Sequence, residues 1–233
     1  MPAISSTLGQ PVYRYERKYV VEQLVAAQVQ MLIHRHPCMF YEPFPPRWVN
    51  NFYLDTLDLQ NYIANLNGNS ERSKVRLRWY GEMLGFLEHP VLELKAKHGL
   101  VGTKEHHPFP PFTLQPGFSQ ATMDALVMDA RFPLPVNNLL RCQQIVLLNR
   151  YWRRYFLSRD GYFRLTLDSH LTYYRFDRLY NTFTHRQADH RHLVVELKYE
   201  PEYDPQANRV TSFLPFNLSR SSKYVQGIER VYF

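Results

Sequence analysis

Four short segments of the chain alternate, residue by residue, between apolar and charged side chains. They are residues 73–79 (SKVRLRW), 91–97 (VLELKAK), 164–168 (RLTLD) and 194–200 (VVELKYE). Successive side chains of a β-strand point to opposite faces, so each segment predicts one apolar and one charged face. Arginine and lysine bind phosphate oxygens and carboxylates bind divalent cations, so the charged faces are suited to a polyanion and a metal ion.

The charged side chains of the four segments are predicted to build one surface together. At a spacing of two residues they include Arg76 with Arg78, and Glu93 with Lys95. An open sheet with one solvated, salt-bridged face would also explain this alternation. The Arg-x-Arg pair, and the Glu-x-Lys pair that occurs in two separate segments, favour a closed sheet, because carboxylates and cations inside it would neutralise each other.

Composition and charge indicate one globular domain with an anionic partner. At 233 residues the chain is long enough to bury a sizeable core as a single domain. It carries 28 lysines and arginines against 21 acidic residues, a net charge of +7. This surplus favours nucleic acid, a nucleotide, polyphosphate or an acidic membrane surface as the partner, without choosing among them.

Other features of the sequence predict a soluble, cytoplasmic protein. Two cysteines, Cys38 and Cys142, are too few for a disulfide framework in a chain of this length. The N-terminus has no signal-peptide pattern, and no apolar run approaches the roughly 20 residues of a transmembrane helix. Neither a P-loop nor a dinucleotide-binding glycine motif is present. The oligomeric state stays open.

Hydrophobic periodicity predicts about eight or nine strands and few helices. Strands are expected at residues 11–21, 48–56, 73–79, 91–97, 103–109, 145–158, 162–176 and 193–200. Helices are expected at residues 22–36, 57–66, 119–130 and 136–141, with one more capped by Asp204 and a last one after the C-terminal serine-rich loop. The histidine-rich stretch 185–192 is expected to be a loop. No shift in composition divides residues 1–233, so they are expected to form one domain.

The predicted fold class is α+β and mainly β. The apolar alternates of the strands need cover, which the helices can supply from outside. The charged alternates must face water or each other, because an unpaired buried charge is costly. We therefore expect an antiparallel, closed β-barrel of about eight strands, with the helices packed outside.

The ordered set of motifs resembles the triphosphate tunnel metalloenzyme (CYTH-like) superfamily. Within it, the closest resemblance is to the polyphosphate polymerase domain of the vacuolar transporter chaperone (VTC) family. The matching stretches are RYERKYVV, SKVRLRWYG, LELKAKHG, YWRRYF, RLTLD, VVELKYE and SRSSKYVQG, in family order over nearly the whole chain. The resemblance implies an antiparallel triphosphate tunnel, spanning residues 1–233, whose basic residues hold phosphates and whose acidic residues hold a divalent ion.

The resemblance also implies site residues. The expected phosphate ligands are Lys18, Arg76, Arg78, Lys95, Arg153, Lys198, Arg220, Ser222 and Lys223. Those expected to act in catalysis are Arg76, Arg78, Lys95, Arg153 and Lys223. Glu196 matches the metal-binding glutamate, with Glu93 or Glu16 expected beside it and Mn²⁺ or Mg²⁺ as the ion. In two departures from the family pattern, Arg14 replaces a first glutamate and Arg220 replaces a lysine.

These expectations favour a polyphosphate polymerase that transfers the terminal phosphate of ATP onto a growing polyphosphate chain. One alternative is a tunnel-fold triphosphatase that hydrolyses inorganic triphosphate or nucleoside triphosphates. Another is a non-catalytic subunit that binds polyphosphate. Nucleic acid is a less favoured partner. The chain contains neither the SPX domain nor the membrane helices that are fused to eukaryotic members, so association with a separate membrane protein is open.

Overall fold

The computed structural model of the protein describes residues 14–98 and 101–233. The strands are β1 (Tyr15–Val21), β2 (Arg47–Asp55), β3 (Glu71–Tyr80), β4 (Gly85–Leu87), β5 (Val91–His98), β6 (Val101–Pro108), β7 (Phe112–Leu114), β8 (Gln144–Leu157), β9 (Arg164–Arg175), β10 (Arg186–Asp189) and β11 (Leu193–Tyr199). The helices are α1 (Ala26–His34), α2 (Gln60–Leu66), α3 (Gln120–Asp129), α4 (Leu134–Arg141), α5 (Asp204–Ser212) and α6 (Lys223–Tyr232), and a 3₁₀ turn spans Pro201–Tyr203. In the described ranges, none of the helices combines the length and the apolar composition needed to cross a bilayer.

Nine strands form one antiparallel sheet, which confirms the mainly β prediction. The hydrogen-bonded order is β1-β11-β9-β8-β2-β3-β5-β6, with β10 paired to β9, while β4 and β7 form a separate ribbon. The chain starts with β1 at one edge and enters the middle of the sheet with β2. From there β3, β5 and β6 lead to the other edge, and β8, β9 and β11 lead from the middle back to β1. Every ladder in the large sheet is antiparallel.

The predicted closure of the sheet into a barrel is wrong. In the part of the chain that the structure describes, the edge strands β1 and β6 share no ladder of hydrogen bonds. Burial lowers the pKa of Lys95 on β5 against the attraction of Glu16 and Glu196, with Lys18 and Lys198 adding to the decrease, so β1 and β11 lie within electrostatic reach of β5. Cations and carboxylates of β1 and β11 therefore both face Lys95 across the seam between the two edges of the sheet.

The apolar alternates of the strands lie on the outer face of the sheet, as predicted. There α3 and α4 cover β2, β3 and β5, where Met123 and Leu140 share a cluster with Leu77. Helices α1 and α5 cover β9 and β11, where Ile33 and Val195 are both fully buried. Each such aliphatic side chain contributes about 1.5–3 kcal/mol to folding.

Helix α6 is an exception to the expectation that the helices pack outside. Its apolar residues Tyr224 and Ile228 share a cluster with Tyr151 of β8, whose hydroxyl accepts a hydrogen bond on the charged face of the sheet. At Gly227 an added Cβ would lie 2.4 Å from a methyl carbon of Leu147, so glycine permits the close approach. Helix α6 therefore covers part of the charged, inner face.

Two local predictions are corrected. The stretch expected to be a loop at 185–192 contains β10, a short edge strand whose polar residues gave no apolar alternation. Asp204 is the first residue of α5 rather than its N-cap, which is Tyr203. The Asp204 carboxylate accepts hydrogen bonds from Arg17 and Tyr199 instead. The predicted strand residues 11–13 lie outside the described residues.

Candidate active site

The inner face of the sheet gathers charged side chains from seven strands and from the N-terminus of α6. Its cations outnumber its carboxylates. The cations are Lys18, Lys74, Arg76, Arg78, Lys95, Lys104, Arg153, Lys198 and Lys223, and the carboxylates are Glu16, Glu93, Asp168 and Glu196. Strand alternation explains the common face, since these residues recur at every second position of their strands.

Arg76 and Arg78 on β3 converge on Glu93 of β5. The Arg76 Nε lies 2.6 Å from one carboxylate oxygen of Glu93, and a terminal nitrogen of Arg78 lies 3.4 Å from the other. Burial opposes ionisation of Glu93, but the two guanidinium groups outweigh it and lower its pKa to about 2. The structure therefore places Glu93 as the group that orients the two arginines.

Arg78 is also held by side chains that the sequence did not single out. Its Nε donates to Asn51 Oδ1 at 2.8 Å, and Asn51 in turn donates to Asn149 at 2.8 Å. A terminal nitrogen donates to the Tyr151 hydroxyl at 3.3 Å. Burial raises the pKa of Tyr151, but the positive charges of Arg153 and Arg78 outweigh it, so the net shift is downward. No charge pattern marks the asparagines, so only the structure reveals them.

Asp168 of β9 binds Arg153 and Lys223 together. Arg153 makes a bidentate pair with it, with N–O distances of 2.6 and 2.7 Å, and the Lys223 Nζ lies 2.7 Å from Oδ2. Asp168 is fully buried. Despite that burial, Arg153 and Lys223 keep the pKa of Asp168 below its usual value. The triad links β8 and β9 to the start of α6.

Glu16 and Glu196 form a pair of carboxylates on β1 and β11. The Lys198 Nζ lies 3.0 Å from Glu196 and 3.8 Å from Glu16, and Lys18 lies 2.7 Å from Glu16. Burial opposes ionisation of Glu196, but Lys198 and Lys18 hold its pKa well below the usual value. Glu93 belongs to the arginine pair instead.

The Glu16–Glu196 pair suits a divalent ion whose remaining ligands come from outside the protein. Among residues 14–98 and 101–233, no three acidic, histidine or cysteine side chains gather into a site of protein ligands alone. Mg²⁺ in phosphoryl-transfer sites is usually bound by one or two carboxylates, with phosphate oxygens and water completing its shell. Two adjacent carboxylates beside a cationic surface fit that coordination, and Mn²⁺ accepts the same oxygen ligands.

Lys74 and Lys104 complete a row of lysines with Lys95. Lys74 lies directly opposite Lys95 in the β3–β5 ladder, and Lys95 lies opposite Lys104 in the β5–β6 ladder. The sequence interpretation missed both outer members of the row. Lys74 precedes Arg76 by two residues, so the alternation of residues 73–79 already placed it on the charged face.

The last two predicted phosphate ligands differ in position. Ser222 is the N-cap of α6, where its Oγ accepts from the backbone N–H of Val225 at 3.5 Å and from Lys74 Nζ at 3.0 Å. Arg220 is exposed, and the structure shows no ion pair for it within the described residues. The structure therefore brings Ser222 into the cationic site and leaves Arg220 outside its contacts.

Comparison with solved structures defines the class of fold. The HpAC1 protein of Hippeastrum, an adenylyl cyclase candidate reported to have a dominant triphosphatase activity, aligns with a TM-score of 0.53 and 14% identity, over 94% of this chain and 96% of that one. An adenylate cyclase candidate from Vibrio parahaemolyticus aligns with a TM-score of 0.49 and 14% identity, over 93% and 99%. The PH1819 protein of Pyrococcus horikoshii aligns with a TM-score of 0.49 and 10% identity, over 93% and 96%. The Hippeastrum alignment shows that this chain shares the fold of that protein.

The family follows from the sequence itself. The model of the VTC domain matches residues 13–232, nearly the whole chain. The protein therefore belongs to the VTC domain family, which confirms the predicted family. No curated protein shows significant sequence similarity to it.

Proposed function

We propose that this protein is a polyphosphate polymerase that transfers the terminal phosphate of ATP onto a growing chain of inorganic polyphosphate. The observation that carries the proposal is the inner face, where cations outnumber carboxylates and two carboxylates stand together at one side. Membership of the VTC domain family supports a polyphosphate-related function. In this proposal residues 1–233 act as one cytoplasmic domain, and any separate membrane partner would receive its product.

The accessible cations would make first contact with the phosphates. Lys95 is exposed and Arg76 is partly exposed, whereas Arg78 is largely enclosed by its partners. Arg153 and Lys223 would contribute their remaining N–H groups, since Asp168 already holds both. The proposed phosphate ligands are completed by Lys18, Lys198, Ser222 and the nearby Arg220.

The reaction asks the protein for positioning and charge neutralisation rather than covalent help. An oxygen of the terminal phosphate of the acceptor chain forms a bond to the γ-phosphorus of ATP. The bond from that phosphorus to the β–γ bridging oxygen breaks, and ADP leaves with the electron pair. A terminal phosphate is already anionic at neutral pH, so no strong general base is needed. Glu196 and Glu16 would hold a divalent ion, which neutralises charge on the phosphate oxygens.

The test is incubation of the purified protein with γ-labelled ATP and Mn²⁺, with the products resolved on a gel. A ladder of long chains together with ADP is the expected result. Orthophosphate alone would replace the polymerase with a triphosphatase, and triphosphate binding without any product would support the non-catalytic subunit.

Two matched variants connect the activity to the inner face. Lys95→Met removes an exposed lysine with no carboxylate within ion-pair distance in the described chain, and it should lower kcat/KM about ten- to a hundredfold through one lost charge-assisted contact. Arg154→Gln is the control, because Arg154 lies on the outer face, paired with Glu42 at 2.9 Å. Equal activity of the two variants would contradict the site.

The triphosphatase remains a second candidate on one specific observation. The Hippeastrum protein that shares this fold is reported to have a dominant triphosphatase activity. In this chain a hydrolase would need a carboxylate to orient water, and Glu16 and Glu196 are the pair available for that role. Arg14 replaces the first glutamate of the superfamily motif, which favours the polymerase over a two-metal hydrolase.

A further inference from the structure

A row of three lysines crosses the inner face at right angles to the strands. Lys74, Lys95 and Lys104 are direct cross-strand neighbours on β3, β5 and β6. Directly opposed residues of an antiparallel pair have Cβ atoms about 4.5–5.5 Å apart, and like charges at that spacing destabilise the sheet. Such a row is retained at a cost to stability, which indicates a role in binding.

The neighbouring row shows what charge compensation looks like in the same strands. There Arg76 lies opposite Glu93, which lies opposite His106, so a carboxylate separates the cation from the histidine. In the lysine row only Lys104 has a carboxylate within ion-pair distance in the described residues, since its Nζ lies 3.9 Å from Glu93, while Glu16 and Glu196 attract Lys95 from farther away. Lys74 and Lys95 have no carboxylate within ion-pair distance among the described residues.

Lys74 is the most confined member of the row. Its Nζ donates to Ser222 Oγ at 3.0 Å, while Lys18 Nζ reaches the carbonyl oxygen of the adjacent Ser221 at 3.4 Å. The hydroxyl oxygen of Ser221 is buried and has no partner in the described structure. Two amines and an unpartnered hydroxyl thus meet at the N-terminus of α6, where backbone N–H groups also favour an anion.

The charged groups that act most strongly on Lys74 come from β1, β5 and its own strand β3. They are Lys18 of β1, Lys95 of β5, and Arg72 and Arg76 of β3, while α6 offers the neutral Ser222. Burial, followed by these like charges, lowers the pKa of Lys74 to about 7. Burial, with help from Arg76 and Arg78 against the attraction of Glu93, lowers the pKa of Lys104 to about 8. The row therefore carries less than its full charge above neutral pH.

We propose that Lys74 is a phosphate ligand of this site and that it takes up a proton when a phosphate chain binds along the lysine row. An anion beside the amine supplies the missing opposite charge, so the protonated form becomes favoured in the complex. The inference rests on the proposed function for its ligand, a linear polyphosphate, but not for the phosphoryl transfer. It predicts that binding of the chain is coupled to pH.

Isothermal titration calorimetry with tripolyphosphate, without metal and at about pH 8, tests this coupling. The observed enthalpy is measured in buffers with different ionisation enthalpies, and the slope gives the number of protons taken up. An amine with a pKa near 7 is largely neutral at about pH 8, so its full protonation on binding would take up about 0.9 proton. The tripolyphosphate itself can exchange protons, so the difference between wild type and variant is the readout.

Lys74→Arg separates the charge from the titration, because arginine stays protonated at any pH used here. This variant should bind tripolyphosphate while its proton uptake falls by about 0.9 relative to wild type. Lys74→Met should lose the same uptake and also bind about tenfold more weakly. Arg154→Gln on the outer face should match the wild type in both measurements.

The outcomes distinguish the inference from the proposed function. Wild-type proton uptake in both Lys74 variants would overturn the role of Lys74, even if the protein makes polyphosphate. Failure of the wild type to bind tripolyphosphate would overturn the inference and the proposed function together. Proton uptake that depends on Lys74, in a protein that makes no chains from ATP, would keep the inference and remove only the polymerase.

Discussion

The two halves of the inner face differ in which charges lie directly opposite each other on neighbouring strands. On β1, β11, β9 and β8, cations and carboxylates are direct cross-strand neighbours: Glu16 with Lys198, Lys18 with Glu196, and Arg153 with Asp168. On β3, β5 and β6, a whole row consists of lysines. The first half is compensated by the protein itself, whereas in the lysine row of the second half only Lys104 has a carboxylate within ion-pair distance among the described residues. The charges of the first half stabilise the sheet, and the lysine row of the second half is the part proposed above to bind a phosphate chain.

Removing a carboxylate from the compensated half should have the largest effect. Asp168→Asn leaves Arg153 and Lys223 buried without their counter-charge, and we expect a loss of about 3–5 kcal/mol in the free energy of unfolding. Urea unfolding followed by circular dichroism measures it. Glu42→Gln, which breaks the more exposed Arg154 pair on the outer face, should cost less than about 1 kcal/mol. Similar losses in both variants would remove the distinction.

Low pH should have the next largest effect on stability, because it protonates Glu93, the carboxylate that binds Arg76 and Arg78 beside the lysine row. The pKa of Glu93 is about 2 in the folded protein and 4.5 in the unfolded chain. Its stabilising contribution is thus complete above about pH 4.5 and is lost as the pH falls towards 2. The shift corresponds to an upper bound of about 3 kcal/mol.

The comparison of Glu93→Gln with the wild type isolates this contribution. Unfolding free energies should depend less steeply on pH between about 2 and 4.5 in the variant. Parallel pH profiles would show that Glu93 ionises equally in both states. Such a result would also remove the account of Glu93 as the group that orients Arg76 and Arg78.

Removing a charge from the lysine row should change the free energy of unfolding least, and the change should be an increase rather than a decrease. The pKa of Lys74 is lower in the folded protein, at about 7, than its usual value of 10.5. Between these values the unfolded chain binds more protons, so stability due to this residue rises with pH. Without ligand, Lys74→Met should therefore stabilise the protein by about 1 kcal/mol near pH 6 and have less effect near pH 10. Thermal unfolding across this range, without phosphate, checks it; destabilisation near pH 6 would contradict the picture.

Strand alternation allowed much of the inner face to be predicted, because side-chain direction is a local property of a strand. It placed Arg76, Arg78 and Glu93 on one face, and the structure shows them in contact. It also placed Lys74 on this face, although the family resemblance implied no role for that residue. The roles of all these residues stay predictions until activity is measured.

The sequence did not predict which elements that are distant along the chain come into contact. Whether the first and last strands of a sheet pair depends on curvature and on which edges meet, and neither has a local signal. The position of α6 on the inner face depends on Gly227, which permits close contact with Leu147 and Tyr173 on strands far away in the sequence. Helical periodicity predicts which side of a helix is apolar, but not which sheet face receives it.

The open seam between β1 and β6 changes how a long polymer can reach the site. A ring of strands accepts a polymer only when a free end is threaded through it. In a sheet whose edges share no ladder in the described part of the chain, no backbone hydrogen bonds between β1 and β6 have to break for a polymer to enter from the side. Under the proposed function, the middle of a chain could enter through this seam, so the length of a polyphosphate molecule would not limit its capture or its release.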